Sequence, residues 1–212
     1  GYFDNAEELT GAPIRPNTGI GDIKLIDVNG DGKINTGIST AADHGDLVYL
    51  GNTNSRYVFG FNAGANWKGF DVSILFNGVG KRSILLEPYA TIAFYDGWRM
   101  PWAIHQNYWT PENLNATFPK LRFGDRVNDQ VSSFWVQDAS YIRLKNLQIG
   151  YTLKKDVHHL KFIENIRIYF SGQDLWEKTG MWYKYFDPEN TDRVSFGYPL
   201  WRSYALGLNI GF

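Results

Sequence analysis

Cysteine is absent from the 212 residues, which excludes a disulfide framework and any thiolate metal site and leaves the redox compartment open. No apolar run approaches the roughly 18 residues of a membrane-spanning helix, so any crossing of a bilayer must be made by strands. An excess of one charge is missing too. The chain has 21 basic and 22 acidic residues, a net charge of -1, and this balance gives no basic field that would make nucleic acid a partner. There is no Gly-x-Ser-x-Gly elbow, phosphate loop or zinc-binding helix motif. Acid pairs such as Asp125 and Asp129 give no sign of flanking a substrate, and the adjacent His158 and His159 tend to point apart. An enzyme is not expected. The chain opens in polar, loop-like sequence without a signal peptide, which reads as the later part of a longer protein.

What the sequence does have is aromatic residues, 17% of the chain, together with 22 glycines. That combination suits strands with aromatic girdles better than helices. The last stretch is the clearest: Tyr204, Leu206, Leu208, Ile210 and Phe212 alternate with Ala205, Gly207, Asn209 and Gly211. Side chains alternate across a pleated strand, so one face is bulky and apolar and the other small or polar. The same period runs through 56–67, with Tyr57, Phe59, Phe61, Ala63, Ala65 and Trp67 on one face and Gly60, Asn62, Gly64 and Asn66 on the other. Lys68-Gly69 is a tight turn, after which Phe70, Val72, Ile74 and Phe76 resume the apolar face. In 142–153 the phase changes at Lys145-Asn146, from Ile142 and Leu144 to Leu147, Ile149, Tyr151 and Leu153; a β-bulge there would restore one apolar face. Ile166, Ile168 and Phe170 begin the next strand.

This pattern predicts five strands joined by two short connections, 68–69 and 154–165, with a helical turn expected in the second. Strand direction alternates, so both short connections fall at the end where the chain terminates and all three long segments at the other. Outer-membrane barrels have this asymmetry, with short periplasmic turns and long external loops. The expected fold is an all-β, antiparallel transmembrane β-barrel segment with long extracellular loops. The organisation reads as an extracellular loop region over 1–54, a transmembrane hairpin over 55–83 and a long aromatic loop over 84–136. C-terminal strands follow over 137–212, with a further loop at 176–201. Five strands cannot enclose a lumen by themselves, since even small barrels need about eight. The competing reading is a secreted carbohydrate-binding β-sandwich with a structural calcium loop, which would alternate equally well.

Several runs then occur in a familiar order: Gly21-Asp22-Ile23-Lys24, Asp27-Val28-Asn29-Gly30-Asp31-Gly32-Lys33-Ile34 and Trp109-Thr110-Pro111-Glu112-Asn113. They continue with Asp138-Ala139-Ser140-Tyr141-Ile142-Arg143-Leu144-Lys145-Asn146-Leu147, Gly150-Tyr151-Thr152-Leu153, Ser171-Gly172-Gln173-Asp174-Leu175 and Asp187-Pro188-Glu189. Together with the final strand, these resemble the C-terminal part of SusC/RagA-like TonB-dependent outer-membrane transporters. The resemblance implies a barrel of about 22 strands, of which the five here would be the C-terminal ones. It also implies a plug domain, energy from the TonB complex through an N-terminal part, and a SusD-like surface lipoprotein as lid. Substrates would be oligosaccharides, peptides or similar nutrients. The protein would lie in the bacterial outer membrane, in contact with outer-membrane lipid, with its C-terminus periplasmic. A TonB-linked barrel repurposed for surface assembly fits the same motifs.

Two candidate sites emerge. Asp27, Asn29 and Asp31 place oxygen side chains at alternate positions, with Gly30 and Gly32 allowing a sharp turn and the Lys33 carbonyl completing the arc, a donor set for calcium. The usual twelfth-position acid is replaced by Ile38; the family resemblance assigns its role to Asp46, with Asp43 as competitor. The second candidate is the aromatic loop, where Tyr95, Trp98, Trp102 and Trp109 are expected to contact a ligand or a lid protein, each joining an apolar face to a hydrogen-bonding edge.

Overall fold

The computed structural model describes residues 1–86, 88–97, 99–154, 162–190 and 200–212. Among the described residues there are two compact units, one built from 1–51 and 85–136, the other from 52–84, 137–190 and 200–212.

The second unit carries the main sheet. Strand β1 (Tyr57–Trp67) turns at Lys68-Gly69 into β2 (Phe70–Gly80), and both turn residues take positive φ, 47° and 90°. A two-residue turn of that hand matches the right-handed twist of the flanking strands. Two three-residue strands, β3 (Ser83–Leu85) and β4 (Val136–Asp138), pair as a separate ladder. The sheet then continues with β5 (Tyr141–Lys154), β6 (Asn165–Thr179) and β7 (Ser203–Gly211). Its order is β1-β2-β5-β6-β7, antiparallel throughout, with β1 and β7 as edges. At 11 residues and about 40° of tilt, β1 rises roughly 26 Å, the height of a bilayer's apolar band.

Register places all the apolar runs on one face. Phe61 lies beside Phe76, Phe76 beside Leu144, Ile149 between Val72 and Phe170, and Phe170 beside Leu206. The phase change at Lys145 is a bulge: Leu75 pairs with Asn146 and Phe76 with Leu144, so Lys145 has no opposite residue on β2. The same irregularity on β6 leaves Asp174 and Leu175 between paired Gln173 and Trp176, and Asp174 takes φ 52°. The apolar face is open. Phe61 is 60% and Leu206 83% exposed, and Phe59, Ile149, Ile168 and Leu208 are exposed with them. A sandwich core would bury these side chains; a bilayer solvates them. Aromatic rings cluster at the turn end of this face, where Trp67, Phe70 and Tyr151 lie side by side in register as in an interfacial belt, and Tyr57 and Tyr204 stand near the opposite ends of their own strands. Most of the connection 154–165, in which a helical turn is expected, lies at 155–161, outside the described residues, as do His158 and His159.

The first unit has a five-residue helix, α1 (Ala6–Thr10), capped by the Asn5 side chain, which accepts from the Glu8 N–H. A second short helix is α2 (Pro88–Thr91). Tyr2, Phe3, Trp109, Phe118 and Trp135 form the buried aromatic core. Within the core, Phe118 and Trp135 pack with centroids 6.5 Å apart and His105 meets Phe118 edge-on at 4.7 Å. Burial pushes the Tyr2 phenol up to about 12. Asp22 is wholly buried at the centre, accepting from Gly19 N–H at 2.7 Å, Asn128 Nδ2 at 3.0 Å and the Arg122 guanidinium. A buried carboxylate needs such a complete set of donors.

Candidate functional site

The polar face of the sheet is the inner face of a barrel wall, and its most constructed feature is built on Arg143. This side chain leaves β5 on the face opposite Ile142 and Leu144 and is 1% exposed. Its guanidinium donates to Glu177 of β6 through Nε at 2.7 Å, to Glu189 through Nη1 at 2.8 Å and to Asp187 through Nη2 at 2.5 Å. Glu189 also accepts from Asn77 of β2 at 2.9 Å and from the Tyr141 hydroxyl at 2.8 Å. Lys145, displaced by the bulge, bridges Asp174 at 3.0 Å and Glu189 at 3.4 Å. Burial would raise the Glu189 carboxyl, but the Tyr141 and Asn77 hydrogen bonds and the charges of Arg143 and Lys145 outweigh it and hold it below its ordinary value. A second arginine acts on the backbone. Arg82, also buried, donates to the carbonyls of Pro188 at 2.6 Å, Asn190 at 3.3 Å and Thr53 at 3.1 Å. The segment 180–190 that follows β6 is therefore held against the inner face by a charge-assisted fork on its side chains and another on its main chain.

Sequence reasoning singled out neither arginine. The visible signal was the phase change at Lys145-Asn146 with Arg143 two residues before it, on the face that carries Gln148 and Gly150.

In the Asp-rich loop, Asp27 accepts from the N–H groups of Gly30 at 2.6 Å and Gly32 at 2.8 Å. Asp31 accepts from Lys33 N–H at 2.8 Å, and Asp46 from Val28 at 2.8 Å and Asn35 at 2.7 Å. These amides hold the Asp31 and Asp46 carboxyls below their ordinary range, Lys33 N–H leading for the first and Asn35 N–H for the second. Asp46 thus closes the loop from 13 residues beyond Lys33. Gly37 and Gly45, both at positive φ, meet so closely in the intervening turn that a Cβ on Gly45 would lie 2.4 Å from Gly37 N. Among the described residues, no group of three or more His, Asp or Glu side chains is placed to hold a metal by itself. The oxygen set here includes the Asn29 amide and the Lys33 carbonyl.

The aromatic loop separates into parts. Trp109 is 4% exposed, donates its indole N–H to Asp4 at 3.0 Å, and lies flat against Gly21, where a Cβ would come within 2.4 Å of the ring. It belongs to the core of its own unit, which corrects its expected role as a ligand contact: the ring has no free face. Tyr95 is half-buried, edge-on to Tyr89 at 4.9 Å and hydrogen-bonded to Arg126 at 3.0 Å. Trp102 is 56% exposed, while its backbone N–H donates to His105 Nδ1 at 2.9 Å. Burial lowers His105 and keeps it neutral, with Nε2 donating to the Thr91 carbonyl at 3.1 Å. Trp98 lies outside the described residues. A cavity beside His105, Arg122, Asn128 and Asp129 measures about 20 Å³, the size of one water.

No family model matches the chain. It is 28% identical over its whole length to TonB-dependent receptor P26 of Formosa agariphila, and 30% identical over 88% of its length to TonB-dependent receptor P3 of the same organism. The chain spans about a fifth of these relatives, 22% and 18% of their lengths. Among solved structures, the RagAB peptide importer in its closed-closed state superposes with a TM-score of 0.63 at 25% identity, over 95% of this chain and 22% of that one. A RagAB peptide transporter structure superposes with a TM-score of 0.55 at 29% identity, over 72% of this chain and 17% of that one. An open-faced antiparallel sheet, apolar on one face and ion-paired on the other, joins this kinship: the chain is a homologue of the TonB-dependent receptors and shares the fold of a part of the RagAB structures.

Proposed function

We propose that the chain forms barrel wall and outer loops of an outer-membrane importer that admits peptides, energised by the TonB complex and closed by a SusD-like surface lipoprotein. The observation that carries this is the uncovered apolar face running across all five strands, opposite a polar face locked by Arg143. The preference for peptides over oligosaccharides comes from the kinship with RagAB, which is a peptide importer. The long segments would face the exterior and the chain's last residue the periplasm. Exposed Trp102 and half-buried Tyr95 would meet substrate or lid.

The Asp-rich loop would hold a calcium ion through Asp27, Asn29, Asp31, the Lys33 carbonyl and Asp46. Each contributes oxygen, and a carboxylate oxygen bonded to one amide retains a lone pair for a cation. The ion would fix the loop and take no part in transport chemistry.

The test is uptake by cells bearing the full-length receptor. Labelled peptides should enter only when TonB and the lipoprotein partner are both present. Entry of oligosaccharides in place of peptides would change the substrate assignment, and uptake independent of TonB would overturn the reading.

A further inference from the structure

We infer that Arg143 is the positioning residue of a strap: it holds 180–190 down on the inner face of the wall, so this loop is a fixed boundary of the lumen and not a lid that lifts. The inference rests on the barrel reading of the sheet, because only that reading makes its polar face a lumen.

The geometry assigns the role in three ways. First, one buried guanidinium serves the wall and the strap together, with Glu177 on β6 and Asp187 and Glu189 on the loop. Guanidinium stays protonated at any pH a cell meets, so the lock has no deprotonated state. Second, the strap's contacts are spread over three wall strands: Asn77 from β2, Tyr141 and Lys145 from β5, and Glu177 from β6 by way of Arg143. Lifting the strap would strip several charged groups of their partners at once, and Arg143 is too deep for water to replace them readily. Third, the strap is internally braced. Glu189 N–H donates to Asp187 Oδ1 at 2.8 Å and Asn190 N–H to the Asp187 carbonyl at 3.0 Å, while Arg82 grips the Pro188 and Asn190 carbonyls. At the other end, Gly180 N–H bonds the Ser140 carbonyl at 3.0 Å, and Tyr183 N–H the Gln137 side chain at 3.3 Å. Between these anchors the strap buries Met181 and Tyr183 and leaves Tyr185 79% exposed.

Tyr185 is the natural reporter; these 212 residues contribute no cysteine to confuse a label, and any cysteine elsewhere in the receptor is first replaced by serine. In the full-length receptor in lipid, a spin label on Tyr185→Cys should show restricted motion that is unchanged by adding peptide. Arg143→Met, which keeps an apolar stem of similar length, should make the label several-fold more mobile and expose 180–190 to protease. Arg143→Lys should restore only part of the restriction, because one ammonium cannot fork to three carboxylates. If Arg143→Met fails to assemble, Asp187→Ala with Glu189→Ala removes the loop's half of the lock without touching a strand, and should free the label in the same way. A label equally restricted in both backgrounds, or one released by peptide in the unmodified receptor, overturns the inference. A second label on Leu206→Cys separates the two readings: contact with lipid-soluble quencher there upholds the barrel whatever Tyr185 does, and its absence withdraws the barrel reading itself.

Discussion

Asp71 and Arg167 form a two-point ion pair across the inner face, Oδ1 to Nε at 2.9 Å and Oδ2 to Nη2 at 2.6 Å, and the strand residue beneath it is Gly150. In register, Asp71 on β2 lies beside Gly150 on β5, and Arg167 on β6 lies beside Thr152, so the pair runs diagonally over the glycine. A Cβ there would sit 2.5 Å from Asp71 Oδ1 and 2.8 Å from Arg167 Nε.

Gly150→Val should therefore break the pair as well as crowd the strand, costing about 1–3 kcal/mol. Asp71→Ala, which removes a partly exposed pair, should cost less than the valine substitution. Because both act on one interaction, adding Asp71→Ala to the valine variant should cost little more. Urea unfolding of the full-length receptor in detergent measures all three. Simple additivity would show that the glycine and the pair are independent.

The two faces of β5 predict unequal responses to one substitution at neighbouring positions. Ile149 is exposed on the apolar face near mid-strand, and Gln148 lies on the inner one. Ile149→Lys should cost about 2–4 kcal/mol in a bilayer, the price of a cation near the midplane, and Gln148→Lys well under half of that. Refolding equilibria into lipid vesicles would read the difference. Equal costs at the two positions would mean that lipid does not solvate the apolar face.

Trp109 and Trp102 should differ in kind. Trp109→Ala empties a buried site and loses the bond to Asp4, for about 3–5 kcal/mol of its unit's stability. Trp102→Ala should change stability by no more than about 0.5 kcal/mol and weaken substrate or lid binding instead. Thermal unfolding paired with peptide-binding isotherms separates the two effects.

The strap should respond to acid in one direction only. The Glu189 carboxyl is held below its ordinary value in the folded protein. Its contribution is therefore complete above the unfolded value of about 4.3 and declines as pH falls through the lower, folded one. A label at Tyr185 should thus keep its restricted motion from neutral pH down to about 5 and gain mobility only in stronger acid. Release between pH 6 and 7 would point to a different titrating group.

The alternation of apolar and small residues made the strands legible, and Lys145-Asn146 betrayed the bulge because side-chain phase is an arithmetic property of a pleated strand. Two things escaped. The role of Arg143 depends on Asp187 and Glu189, 44 and 46 residues away, which meet it only when the loop after β6 folds back, and no local period encodes that return. The aromatic loop offered rings in plenty, but the sequence does not say which are inside. Trp109 is buried because Gly21, 88 residues earlier, puts no Cβ in the way of its ring, and Asp22 beside it recruits Arg122 and Asn128 from 100 and 106 residues further along the chain.

Gly30 and Gly32, both at positive φ, let the Asp-rich loop turn sharply enough for its amides to reach its own carboxylates. If calcium binds, terbium should bind the full-length receptor in its place, giving a directly excited emission with a lengthened lifetime that added calcium removes. Asp31→Ala and Asp46→Ala should each abolish the signal. Lys33→Ala should leave it intact, because that residue would offer only its carbonyl. Chelation should then expose the segment around 27–46 to protease, and calcium should protect it again. Both carboxyls titrate below their ordinary range, so binding should persist through mild acid and fail only once they protonate. If the three variants behave alike, the loop is held by its amide hydrogen bonds alone and no cation is required.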